Sequence, residues 1–145
     1  MGKVWVYAEL NQGKVNPTAL ELLAKARELG DVEAIALGTG AKAAAATLGK
    51  HGAKVVHVNE DKAFDDYLAE PATDALAALH KLGAPDLILF GFTPDSRDVA
   101  GRFAARLEVG LISGAADVVA GSGVLPRRQR PAVLVAGGLD GCSRT

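Results

Sequence analysis

The chain is poor in the residues that carry chemistry. Its 145 residues contain one cysteine, Cys142, and three histidines. A disulfide framework is excluded, and no Cys/His spacing suits a metal. Aromatic residues make up 5% of the chain. No apolar run reaches the length of a signal peptide core or a membrane-spanning helix. The formal net charge is -1, so nothing draws the chain as a whole toward nucleic acid or an anionic membrane. The single basic cluster, Arg127, Arg128 and Arg130, is a poor nucleic-acid footprint. Scarce cysteine and the absent leader point to a cytoplasmic protein.

Catalytic signatures are missing too. Gly38-Thr39-Gly40 is no dinucleotide fingerprint, because the third glycine of G-x-G-x-x-G falls on Ala43. A Walker motif and a G-x-S-x-G elbow are absent. His51, His57 and His80 share no spacing with each other or with a nucleophile. Asp65-Asp66 reads as a solvated face rather than an acid/base couple. Neither a catalytic nor a metal-binding constellation is expected.

What the chain does have is alternation. Apolar residues make up 49% and glycines number 17. The length suits one domain with a core of its own. Val4–Ala8 is β-branched and aromatic, and predicts a strand. Asn16-Pro17 predicts a helix start, with Asn as cap and Pro at the first helical position. Ala19, Leu22, Leu23 and Ala26 then share one helical face, and Gly30 closes the helix. Strands follow at Val32–Leu37 and Val55–Val58, separated by a helix from Ala41 to His51. An acidic connection, Asn59–Glu70, leads to a helix opened by Pro71, whose face is Ala72, Ala75, Leu76, Leu79 and Leu82. Leu87–Phe92 is the most apolar strand and reads as central, since central parallel strands are buried on both faces. Asp95 or Ser96 caps a last helix carrying Val99, Phe103 and Leu107. A fifth strand begins at Gly110-Leu111-Ile112.

Strands and helices alternating every 25–30 residues predict βαβ units. The expected class is α/β: a three-layer, Rossmann-like parallel sheet with helices on both faces. The character changes after Val119. Gly121-Ser122-Gly123 and the basic, proline-bounded Leu125–Pro131 precede one more strand candidate, Ala132–Ala136, and then a glycine-rich end. Residues 1–120 are read as the domain and 121–145 as an atypical tail, of the composition a frameshifted or disordered end has.

Ligands of open parallel sheets bind beyond the carboxyl ends of the strands. The best-placed segment is Gly91–Asp98, which leads from the central strand into a helix N-terminus, where free N–H groups favour an anion. Gly91, Thr93, Ser96 and Arg97 are the candidate nucleotide-loop residues. The competing reading is that Asp95 or Ser96 only caps the helix and Arg97 is solvated. Gly38–Gly40 reads as a turn.

The first 119 residues resemble the N-terminal domain of electron-transfer flavoprotein alpha subunits. Val4-Trp5-Val6-Tyr7-Ala8-Glu9 is similar to that family's opening strand. Gly13–Pro17 with Glu21–Ala26 resembles its first loop and helix, and Ala36–Gly40 and Gly52–Val55 its next strand regions. Pro85–Gly91 and Arg97–Leu107 resemble its most recognisable stretch. Gly101 stands where the family often has Pro, and Ser113-Gly114 where an acidic residue often follows the hydroxyl. The resemblance implies an adenine-nucleotide-hydrolase-like fold and a beta-subunit partner in an FAD-carrying heterodimer. It further implies relay of electrons from acyl-CoA and other dehydrogenases toward the respiratory chain. The family's flavin is held mainly by a C-terminal domain, so this chain is expected to dock a subunit without binding FAD alone. A stand-alone adenine-nucleotide-binding module is the alternative.

Overall fold

The computed structural model describes residues 3–11, 13–67, 69–83, 85–91, 93–115 and 132–136. Its backbone is a six-stranded, all-parallel sheet. In chain order the elements are β1 (Lys3–Ala8), a short ladder of β2 (Leu10–Asn11) and β3 (Lys14–Val15), α1 (Pro17–Leu29), β4 (Asp31–Leu37), α2 (Ala41–Lys50), β5 (Val55–Asn59), α3 (Ala63–Asp66), α4 (Ala69–Leu82), β6 (Leu87–Gly91), α5 (Pro94–Leu107), β7 (Leu111–Ala115) and β8 (Ala132–Ala136). The strand order is β5-β4-β1-β6-β8-β7.

Alternation along the strands builds the three layers. Successive side chains of a strand point to opposite faces. Val4, Val6 and Ala8 therefore meet Leu22, Leu23 and Ala26 of α1 and Leu48 of α2 in one core. Trp5, one residue out of phase, joins Ile88 and Phe90 against Leu76 of α4 and Phe103 of α5 in a second core. Val4, Trp5 and Val6 are all buried, as a strand with helices on both sides requires. The expected three-layer α/β class is the class observed.

Local signals set most of the helix ends. The side-chain oxygen of Asn16 accepts from the N–H of Thr18 at 3.0 Å, with Pro17 at the first helical position. The N–H of Gly30 reaches Ala26 O at 3.1 Å and closes the last turn. Two expectations are corrected. Helix α4 begins at Ala69, not Pro71. Proline is tolerated within a first turn because N–H groups there have no intrahelical acceptor. The cap of α5 is Thr93, not Asp95 or Ser96: its hydroxyl oxygen accepts from the N–H of Ser96, and Pro94 takes the first helical position.

The fourth predicted strand is central, with all five residues of β6 buried. Ala132–Ala136 is a strand of the same sheet, inserted between β6 and β7. The sheet thus takes in residues on both sides of position 120. Positions 116–131 and 137–145, which contain Cys142 and the basic cluster, lie outside the described residues.

Helix α4 shows where periodicity overreached. Leu76 is fully buried, whereas Leu82, on the same predicted apolar face, is 86% exposed. Leu82 lines an open groove beside β5 rather than packing into the core. Truncation will separate the two. Leu76→Ala is expected to cost about 2–5 kcal/mol through lost burial and a cavity, and Leu82→Ala less than about 0.5 kcal/mol. Urea denaturation of both variants in dilute solution reads this directly.

Candidate functional site

The chain leaves β1 toward β4 on one side and later returns to lay β6 on the other. The connections after β1 and β6 thus diverge, and their carboxyl ends form the sheet's switch point, where such folds bind ligands. Three of the four sequence candidates meet here. Gly91 ends β6 and is buried. A Cβ on it would stand 3.1 Å from Thr18 Cγ2, so the missing side chain lets the start of α1 close over the strand. Thr93 caps α5. Ser96 is fully buried. Arg97 is exposed on α5, and its N–H bonds Thr93 O at 2.9 Å.

The residue that organises the site is Glu9, immediately after β1. Ser96 Oγ donates to Glu9 Oε2 at 2.9 Å, and Thr93 Oγ1 donates a short hydrogen bond to the same oxygen. The backbone carbonyl of Glu9 accepts from the N–H of Asn16 at 2.9 Å, which ties the start of α1 to the same point. A carboxylate of the chain therefore sits at the N-terminal end of α5, where the helix field favours negative charge. In phosphate-binding folds, this is where the ligand's phosphate lies.

The surroundings are acidic. Tyr7 packs on Phe90 with ring centroids 5.4 Å apart. Its phenol titrates well above the usual tyrosine range, first because it is buried and then because of the charges of Glu9 and Asp95. No sequence signal in the Gly91–Asp98 segment pointed to Glu9. The available clue was an acid placed straight after the first strand, in a fold whose switch point lies at that strand's end.

A second helix start repeats the arrangement. Gly38–Gly40 precedes α2, and here Asp65 accepts from Thr39 N at 3.3 Å and from Thr39 Oγ1. Glu60 Oε1 accepts from Lys42 N at 3.0 Å. Asp65, read from sequence as one of a solvated pair, thus fastens the acidic connection onto the turn. Gly40 has φ 90°, and a Cβ there would lie 2.7 Å from Gly13 Cα, so the turn also needs glycine to pass the β2–β3 ladder.

The histidines stay apart. His51 Nδ1 lies 2.8 Å from Thr47 O, and His57 Nε2 lies 2.9 Å from Glu33 Oε1. His80 stacks edge-on to Phe103 and is held below its usual pKa by burial. Among the described residues no three His, Cys, Asp or Glu side chains are placed to hold a metal ion. No helix among them is long and apolar enough to cross a membrane.

Comparison with known proteins gives a consistent picture. Residues 4–133 match the family model "Electron transfer flavoprotein domain". The chain is 34% identical over 130 residues to an electron transfer flavoprotein subunit alpha from Syntrophomonas wolfei, covering 88% of this chain and 41% of that protein. It is 36% identical over 124 residues to the subunit alpha of Mycobacterium leprae, covering 84% and 39%. It is 35% identical over 117 residues to protein FixB of Rhizobium meliloti, covering 74% and 33%. The chain thus spans about two fifths or less of the length of these relatives.

Two predictions follow from the switch-point geometry. Glu9→Ala strands the buried Ser96 hydroxyl and the Thr93 hydroxyl without their acceptor, and is expected to cost about 1–3 kcal/mol. Ser96→Ala and the double variant should then show a coupling of at least about 0.5 kcal/mol in urea denaturation; additive effects would mean the contact carries no energy. The second concerns alkali. Tyr7 holds its proton more tightly folded than unfolded. Its contribution to stability is complete below the unfolded tyrosine pKa of about 10 and declines as pH rises above it. Tyr7→Phe should flatten that part of the decline in denaturation midpoints measured across the alkaline range.

Proposed function

Because the chain belongs to the electron transfer flavoprotein family, we propose that it is the subunit-docking part of an alpha subunit and carries no redox centre in its own residues. The partner is the beta subunit. The heterodimer, in the cytoplasm, carries FAD and relays electrons from acyl-CoA and other dehydrogenases to the respiratory chain. The flavin supplies the redox chemistry in such a carrier, and this chain contributes the surface on which the second subunit is held.

The observation that supports this reading is the self-occupied switch point. A flavin dinucleotide or an adenine nucleotide brings phosphates that need free N–H donors at a helix start. At α5 that end already faces Glu9, and at α2 Asp65 accepts from Thr39 N and Glu60 from Lys42 N. The acidic neighbours of Tyr7 add repulsion to any incoming phosphate. The described residues therefore do not fit the phosphate end of FAD. The same observation weighs against a stand-alone adenine-nucleotide module built on Gly91, Thr93, Ser96 and Arg97.

Two measurements test the reading. Mixing the chain with a beta subunit of the family and following mass by light scattering is expected to give a heterodimer. The purified chain alone is expected to show no stoichiometric flavin absorbance, and no calorimetric heat with ATP or AMP at millimolar concentration. Flavin retained by the chain alone, or saturable nucleotide binding, overturns the proposal.

A further inference from the structure

Two strands close the sheet, and they are built differently. β7 carries a register irregularity between Ser113 and Ala115, and such bulges discourage further pairing at an edge. β5 runs in unbroken register against β4. Its sequence, Val-Val-His-Val-Asn, contains no lysine, proline or acid, so it lacks the usual devices that blunt an edge. Val55 and Val58 are 44% and 38% exposed. The carbonyl of Asn59 is spent inward, accepting from the N–H of Gly38 at 2.8 Å. By the alternation of a strand, Val56 and Val58 then turn their backbone groups outward. Beside the strand an open groove of about 480 Å³ lies between the β5 face and α4, lined by Leu37, His57, Asn59, Ala75, Leu79 and Leu82, among others.

We propose that β5 pairs antiparallel with β5 of a second copy of this chain, so that one sheet runs through a symmetric dimer. The strand is self-complementary in this direction and in no other. Centred on His57, the pairing sets Val55 opposite Asn59 and Val56 opposite Val58. It also sets Lys54, just before the strand, opposite Glu60, just after it. Parallel pairing in the same register stacks Lys54 on Lys54 and Glu60 on Glu60. Lys54 is exposed, and its present partner Asp31 is exposed as well, so its ammonium group is within reach of a second carboxylate. His57 keeps Glu33 as its partner on each side of the seam. A two-fold axis normal to the sheet leaves both α4 helices on one face. The two grooves then join across the seam, and Leu82 of each copy is covered. This surface lies away from Glu9 and α5 and meets the α2 start at Glu60, which accepts from Lys42 N; the dimer does not depend on the proposed function.

Sedimentation velocity of the full chain over a concentration series tests the proposal. A reversible dimer is expected. Val58→Lys puts a charge against Val56 twice per dimer. Lys54→Glu sets a new carboxylate against Glu60, also twice per dimer. Each is expected to weaken association about tenfold or more. The exchange Lys54→Glu with Glu60→Lys should restore most of it. Far-UV circular dichroism shows whether each variant is folded, and Lys54→Glu, at an exposed position, serves if Val58→Lys does not fold. A folded wild type that stays monomeric at its highest soluble concentration overturns the proposal. So does a dimer indifferent to Lys54→Glu, or one whose weakening the exchange does not reverse.

Discussion

Everything in this fold is hung on β1. It is hydrogen-bonded to a parallel neighbour on each side, β4 and β6, and covered by a helical layer on each face. Parallel partners cannot be joined by a tight turn, so each requires a crossover that carries a helix. The alternation within β1 decides which residues meet which layer. Val4 and Val6 belong to the α1–α2 side and Trp5 to the α4–α5 side. A slip of one residue would exchange the two sets, placing an indole where α1 packs tightly over valines. Trp5 has a cost of its own: its Nε1 is buried without a hydrogen-bond partner among the described residues. Its large apolar surface, shared with Phe90 and Phe103 in one core, outweighs one unmet donor: an aromatic side chain burying about 150–250 Å² gains about 4–6 kcal/mol at about 25 cal/mol per Å², whereas an unmet donor costs about 1–3 kcal/mol.

The end of β1 sets the charge at the carboxyl edge of the sheet. Sheets of this class present helix N-termini toward the carboxyl edge, and these ends carry partial positive charge. Something negative belongs there. In a nucleotide-binding relative of the fold it is a phosphate; here it is Glu9 at α5, and Asp65 with Glu60 at α2. The internal solution has a thermodynamic advantage over a ligand. Glu9 is delivered by the strand to which it is attached, so no translational freedom is lost on placing it, and the contact is present at any concentration. The same carboxylate joins β1 to α5, and the backbone carbonyl of Glu9 holds the start of α1. A site that would otherwise be a cleft becomes a fastening.

How far the sequence carried the reading depends on how local each signal was. The helix start at Asn16-Pro17 was legible because cap and proline act within one turn. The central character of Leu87–Gly91 was legible because unbroken apolar runs suit strands buried on both faces. The cap of α5 was misjudged by two to three residues, since Thr93, Asp95 and Ser96 are all good capping types and only the backbone turn at Pro94 selects among them. Glu9 was not legible as a site residue. Its partners Thr93 and Ser96 lie 84 and 87 positions away, and one-dimensional patterns do not register contacts of that separation. Ala132–Ala136 was legible as a strand, but its place between β6 and β7 was not, because strand order is settled by competition among all the strands for the same edges.

A closed switch point changes what selection has to act on in such a domain. With acidic side chains of its own at two of its helix starts, the chain turns attention to its edges and faces. The two edges are treated unequally: β7 is irregular, while β5 is regular, uncharged within its five residues and bounded by charges of opposite sign. An edge left in that condition is either a liability or an interface. The flanking charges argue for the second, because a strand guarded only against misuse needs a charge within it, whereas a cation before and an anion after favour one orientation of an identical partner over the other. The half-buried His57–Glu33 pair lies at the centre of that register, where it aligns the strand with β4 and leaves the outer backbone groups of the edge to meet a partner.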